Sequence, residues 1–172
     1  TNLVLSNIIP NTTWTWTVNA PLVISGAADD NTGTLAKISQ TLTNSDINVQ
    51  NVIYTITPRV YGRCDLAPIS ASLWVNPVPE IRVSVSDSML CRGESTTITV
   101  SNPHISIRGE WMYDLTVTAD EGITGNSAGG TFNSSSDLTD TLTNNDIKVH
   151  KVVYRFTPII RPDDGGTDCG QG

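Results

Sequence analysis

Charge, aromatic rings and basic clusters are all scarce in this 172-residue chain: 16% charged residues, 6% aromatic, and ten Lys and Arg against seventeen Asp and Glu, for a net charge of −7. Scattered basic residues on an acidic chain exclude a phosphate-neutralising surface and hence nucleic-acid binding. No apolar run approaches the roughly 20 residues of a membrane helix, so no membrane insertion is expected in this segment. No signal-peptide pattern opens the chain, which therefore reads as a mature piece of a secreted protein. Neither of the two histidines, His104 and His150, recurs in the first half of the chain, where Gln50 stands opposite His150. GxSxG, HExxH and phosphate-loop patterns are missing, so no catalytic residue, cofactor site or metal site is assigned, and the chain is read as non-enzymatic. The three cysteines, Cys64, Cys91 and Cys169, form no CxxC pair, which leaves zinc and thioredoxin-like chemistry without footing.

What the chain has in quantity is Thr, Ser, Asn, Val and Ile. The β-branched residues favour strands and the Asn, Gly and Pro between them mark turns. It also has an internal repeat. TLTNSDINVQNVIYTITP at 41–58 matches TLTNNDIKVHKVVYRFTP at 141–158, with an offset of 100 and 11 of 18 positions identical. Ile24-Ser25-Gly26 further aligns with Ile123-Thr124-Gly125, and Trp14, Trp16 and Val18 with Trp111, Tyr113 and Leu115. A period of about 100 residues is the size of an immunoglobulin-like sandwich. Pro77 and Pro79 cannot donate ladder hydrogen bonds, so they end one strand and stiffen a connector. This predicts two tandem all-β sandwich domains, 1–78 and 79–172.

Period-two alternation supports the class. Trp111, Tyr113, Leu115 and Val117 should face inward, as should Trp14, Trp16 and Val18. Val52, Tyr54 and Ile56 match Val152, Tyr154 and Phe156. Further inward stripes are Ile81, Val83 and Val85; Ile98 and Val100; and Ile69, Ala71, Leu73 and Val75. The repeats are out of phase with the ends. Thr1 corresponds to a position near Thr96, so unit 1 should lack its first strand or two. Unit 2 stops three residues past Cys169, so it should lack the closing strand that unit 1 carries after Cys64. Either the chain is a window on a longer array, or its open edges are completed by strand donation from a neighbouring subunit. The cysteine positions predict a Cys91–Cys169 disulfide contributing about 3–5 kcal/mol if unstrained. Cys64 would then pair upstream of Thr1. The alternative is three free buried thiols in a reducing compartment.

Cys91-Arg92-Gly93-Glu94-Ser95-Thr96, Leu142-Thr143-Asn144, Val153-Tyr154-Arg155-Phe156-Thr157-Pro158 and VNPVP at 75–79 give the chain a family likeness. It resembles the PKD-like repeats of Bacteroidota surface proteins, including gliding-motility adhesins secreted by the type IX pathway. The resemblance implies a disulfide-bearing sandwich repeated along an extracellular adhesin or enzyme stalk at the bacterial cell surface. PDDGGTD at 162–168 departs from YGR at 61–63, so that loop inherits no role.

Among individual residues, Trp74 falls out of phase with Leu73 and Val75. It should point outward as a contact for a neighbouring domain or for a glycan. Asp46 and Asp146 read as capping residues of a short turn rather than calcium ligands. The histidines read as solvated, and the clusters Asp29-Asp30-Asn31 and Asp163-Asp164 as solvated loops. Tyr54 and Tyr154 should bury their rings and tie their hydroxyls to backbone, in the manner of a tyrosine corner. Asp87-Ser88-Met89 and Asp140-Thr141-Leu142 fit the short pattern that the resembled phylum O-glycosylates, making Ser88 and Thr141 candidate positions. Three functions compete: a structural, adhesive repeat whose partners are neighbouring repeats or surface polysaccharide; a carbohydrate-binding accessory module of a secreted enzyme; and a self-polymerising fibre subunit.

Overall fold

The structure, a computed structural model, describes residues 2–6 and 9–170; Thr1 and Gly172, where the expected cuts fall, lie outside the described residues. The chain divides into two compact units, Thr1–Pro77 and Val78–Gly172. Among the described residues every regular element is a strand, and each unit is an immunoglobulin-like β-sandwich.

In unit 1 the strands are β1 (Asn2–Val4), β2 (Thr12–Asn19), β3 (Ile24–Ser25), β4 (Lys37–Ser39), β5 (Thr43–Asn44), β6 (Gln50–Val60), β7 (Cys64–Asp65) and β8 (Ile69–Val75). β1 pairs with β4 to form one layer. β6 is the centre of the other, flanked by β2 on one edge and by β7 and β8 on the other. The alternation of β6 decides its fate: Val52, Tyr54 and Ile56 are buried among Trp14, Trp16, Ile24 and Ile38. Ala71, Leu73 and Val75 of β8 cover that core from one side.

In unit 2 the strands are β9 (Arg82–Val85), β10 (Ser95–Ser101), β11 (Glu110–Ala119), β12 (Ile123–Thr124), β13 (Gly130–Phe132), β14 (Ser136–Thr141), β15 (Thr143–Asn144), β16 (Val152–Arg161) and β17 (Cys169–Gly170). One layer runs β14-β10-β9 and the other β13-β11-β16-β17. The core gathers Ile98, Val100, Trp111, Tyr113, Leu115 and Ile160. The Tyr113 ring stacks on Phe132 at 5.1 Å and tilts against Trp111 and Phe156. Such aromatic pairs add about 0.5–1.5 kcal/mol beyond their buried area.

The repeat extends to matched devices. The Tyr54 hydroxyl donates to Gln40 Oε1 at 2.7 Å, and Gln40 in turn holds both the N–H and the carbonyl of Ala28. A hundred residues on, the Tyr154 hydroxyl donates to Asp140, whose carboxylate accepts from the backbone N–H and the hydroxyl of Ser127. The tyrosines therefore bond to side chains and not to backbone as the sequence suggested. The reason is that position 40 or 140, on or beside the opposite layer, brings an acceptor to each hydroxyl. Asp140 is buried, and these three donors satisfy its carboxyl oxygens.

The turn before each central strand is also duplicated. Asn44 Oδ1 accepts from Asp46 N at 2.9 Å, Asp46 Oδ1 from Ile47 N at 2.7 Å, and Asn44 Nδ2 donates to Asn48 O at 2.7 Å. Asn144, Asp146, Ile147 and Lys148 repeat the same three bonds. This side-chain mimicry of a backbone turn fits the structural role expected of Asp46 and Asp146.

Gly26 and Gly125 begin equivalent loops at φ +84° and +90°, and a β-carbon would lie 1.9 Å and 2.0 Å from the carbonyl oxygens of Thr41 and Thr141. Gly26→Ala and Gly125→Ala should each destabilise their own unit by about 2–3 kcal/mol. Denaturant unfolding of the two variants, compared with wild type, measures this.

Candidate functional site

A groove of about 570 Å³ lies within unit 2. Its floor is Val152, Tyr154 and Phe156 of β16, one wall is Val83 and Val85 of β9, and its end is the turn 146–151. Beneath this shape lies a pairing difference. In unit 1, β8 pairs antiparallel with β6 from Gln50↔Val75 to Ile56↔Ile69, and β7 takes Arg59 and Val60. In unit 2, β17 takes Ile159 and Ile160, and no described residue pairs with the same edge of β16 from Val152 to Phe156.

The exposure follows. Val52 and Tyr54 are 0% exposed, whereas Val152, Tyr154 and Phe156 are only half-buried. Val49 is half-buried, but its counterpart Val149 is 99% exposed. Val83 and Val85, expected to face inward, are 44% and 48% exposed because no strand of the described residues fills the space they line. The Asn44 amide makes a second bond, to Val75 O of β8 at 2.9 Å. The Asn144 amide donates to Lys148 O, and the residue lines the groove.

His150 closes the end of the groove. Its Nε2 lies 3.0 Å from Asp146 Oδ2 and its Nδ1 3.8 Å from Asp120 Oδ2, so it is not the solvated histidine expected. Gln50 serves the same purpose in unit 1, donating to Asp46 Oδ2 at 2.5 Å. The hydrogen bond from His150, and next that from Ile147 N, holds the Asp146 carboxyl below the usual carboxylate range. His104 is not solvated either: it is buried, its Nε2 accepts from Glu80 N at 2.9 Å, and Glu80 O accepts from Trp111 Nε1 at 2.9 Å. It fastens the start of unit 2 to its core tryptophan.

The Cys91–Cys169 bridge expected from the sequence is not formed; all three cysteines are free thiols, with Cys64 and Cys91 exposed and Cys169 half-buried. The reason is position. Gly93 N bonds to Leu142 O and Arg92 to Asn145, which holds the Cys91 loop at the Val152 end of β16. Cys169 pairs with Ile160, eight residues along the same strand. At about 3.3 Å per residue the two lie roughly 25 Å apart along the strand, against the 4.4–6.8 Å between α-carbons that a disulfide spans.

Trp74 is 53% exposed on β8, directed away from the face of Leu73 and Val75. The other exposed aromatic among the described residues is Tyr61. Trp74 sits beside Asn51, ten residues from Tyr61, so roughly 30 Å separates them along β6. The two cannot form one sugar-stacking platform. Ser88 is exposed in the loop after β9. Thr141 is held by Ser95 across the β10–β14 ladder at 2.8 Å, and its neighbour Asp140 is buried. Asp29 accepts from Val18 N and Asp30 from Thr32, while Asp163 pairs with Arg108 and Asp164 with Gly166 N. Among the described residues no three His, Cys, Asp or Glu side chains converge on one point. No helix of the described residues is long and apolar enough to cross a membrane.

Residues 2–79 match the PKD-like domain family. Domains of this kind are generally structural, non-catalytic immunoglobulin-like modules, typically extracellular or at the cell surface. No curated protein and no solved structure matches the chain.

Without reductant, three thiols per chain should react with a maleimide under native conditions. Cys64 and Cys91 should react first. Cys169 should be about ten-fold slower, because burial, and after it the charges of Asp168 and Asp164, push its thiol up. Mass spectrometry of timed reactions reads the order. Burial, and then the hydrogen bond and charge of Asp140, push the Tyr154 phenol well above its ordinary value near 10. Its folded pKa is raised, so its contribution to stability is whole below about pH 10 and drains away above it. Unfolding free energies measured from pH 8 to 12 should fall above pH 10, and Tyr154→Phe should flatten that fall.

Proposed function

We propose that the chain is a stretch of a large bacterial cell-surface adhesin or surface fibre, in which sandwich repeats stand in series and act mechanically rather than catalytically. The observation that carries the reading is the duplication itself. One sandwich, with the same tyrosine clamp and the same asparagine turn, recurs after 100 residues. The match of residues 2–79 to PKD-like domains supports the same class. Repetition gives reach, and many weak contacts along a fibre give avidity without any single strong site. Pro77 and Pro79 in the connector limit its freedom. The partners in this reading are neighbouring repeats and surface polysaccharide, and the setting is extracellular.

The motif residues Cys91–Thr96 and Val153–Pro158 support placing the adhesin in the gliding-motility class exported by the type IX route. Of the two candidate O-glycosylation positions, exposed Ser88 is the better placed, since the Asp140-Thr141 pair is engaged within the sandwich. The separation of Trp74 from Tyr61 weighs against the carbohydrate-binding accessory module.

Beads coated with the protein and held under flow on a polysaccharide-coated surface should be retained, with retention rising more steeply than coating density. Absence of retention at every density overturns the adhesive reading. Saturable binding of one glycan by the free protein, abolished by Trp74→Ala, overturns it in favour of a carbohydrate-binding module.

A further inference from the structure

The turn after β2 in unit 1 and the turn after β11 in unit 2 share a frame but differ in chemistry. Ile24 pairs with Asn44 as Ile123 pairs with Asn144, and Gln40 holds Ala28 as Asp140 holds Ser127. Within that frame Pro21, Leu22 and Ala27 stand where unit 2 has Asp120, Glu121 and Asn126. Asp29 stands where unit 2 has Ala128-Gly129. Unit 2 thus carries two carboxylates on a polar turn, and unit 1 carries one carboxylate among alkyl side chains.

Those residues of unit 1 enclose a concavity of about 440 Å³. Apart from Asp29, every side chain that lines it is that of Val, Leu, Ile, Ala or Pro. Both walls are fastened. Ile24 N donates to Pro21 O at 2.9 Å, closing the turn that carries Leu22. Ala28 O accepts from Trp16 Nε1 at 3.1 Å and from Gln40 Nε2 at 2.7 Å. Leu22, at the rim, is fully exposed. The walls belong wholly to residues 18–29. In unit 2, β9 and the loop after it bond to β10, Leu142 and Asn145 and to none of the described residues 117–128, which correspond to these walls. Glu121 and Ala128 there are exposed in the presence of β9, so the openness of this end belongs to the fold.

Asp29 selects the ligand. Its Oδ1 accepts from Val18 N at 2.7 Å, which leaves Oδ2, and among the described residues no basic side chain pairs with it. One available oxygen suits a point charge better than a guanidinium fork, which draws on both oxygens. Alkyl walls suit a methylene stem. We propose that this concavity binds a primary ammonium on an unbranched alkyl stem, the form of a lysine side chain or of a free alkylamine. The head rests on Asp29 Oδ2, and the stem lies along Pro21, Leu22 and Ala27. The volume is that of a small-ligand cleft, and one exposed ion pair with a short stem limits the affinity to the millimolar range. The site is independent of the adhesive reading and stands whether or not the protein adheres to surfaces.

The probe is Nα-acetyl-lysine N-methylamide, titrated into the isotope-labelled native chain and followed by amide NMR. Saturable shifts are expected at Val18, Leu22 and Asp29, with Glu121 and Ala128 of unit 2 unmoved. The norleucine analogue, which keeps the stem and lacks the ammonium, should bind about five-fold more weakly, and the arginine analogue likewise. Asn retains an acceptor for Val18 N and has no charge, so Asp29→Asn should weaken lysine binding about five-fold. Leu22→Ser, at a fully exposed position, should weaken it about three-fold. n-Butylamine separates the two sources: affinity equal to the lysine compound supports free amines, and several-fold weaker binding supports a lysine within a polypeptide. Absence of saturable shifts in unit 1, equal movement of Glu121 and Ala128, equal binding of the norleucine analogue, or unchanged affinity in Asp29→Asn would each overturn the proposal.

Discussion

A strand that buries one face still has two hydrogen-bonding edges, and most of what distinguishes the two halves of this molecule follows from how the central strand meets that constraint. β6 is paired on both sides, and its inward residues are sealed. β16 has β11 along its full length but, among the described residues, only the two residues of β17 on the other edge. The same inward pattern on nearly the same sequence therefore gives a closed core in one unit and a groove in the other. Burial in a sheet is a property of the neighbours as much as of the residue.

Against that difference stands a geometry preserved with changed chemistry. Gln40 and Asp140 occupy one position and do one task, receiving a tyrosine hydroxyl while holding the loop at Ala28 or Ser127. The neutral amide both gives and takes hydrogen bonds; the carboxylate only takes them, and the partner loop accordingly presents the hydroxyl of Ser127 as an added donor. Gln50 and His150 exchange in the same way over Asp46 and Asp146. The Arg59–Asp65 and Arg161–Asp168 pairs brace equivalent ends, and both are about half exposed, so they orient the chain more than they stabilise it.

Local pattern carried most of the architecture. The offset of 100 and the two-residue alternation were enough to read two sandwiches and the inward faces of β2, β6, β11 and β16. What escaped depends on where distant segments meet. Cys91 and Cys169 are separated along β16 by a length no periodicity encodes, and the acceptors for Tyr54 and Tyr154 come from the opposite side of the sandwich. His104 read as a loop residue, since nothing nearby in sequence announces Glu80 and Trp111 as its companions. The groove was half legible: alternation marked Val152, Tyr154 and Phe156 as one inward face of β16. The outward exposure of Val83 and Val85 was not, because alternation marks an apolar face without saying whether anything covers it.

The two central strands also set a problem of allocation while the chain folds. The edges of β6 and β16 would receive β8 in nearly the same register, and closely related neighbours of this kind are prone to exchange strands. Three residues, 66–68, join β7 to β8, so closing β8 onto β6 costs little chain entropy. Synthesis runs the same way: β8 emerges soon after β6, with only β7 between them, when residues 152–161 have yet to be made. The short tether and the direction of translation together commit that strand to its own unit before a rival edge exists.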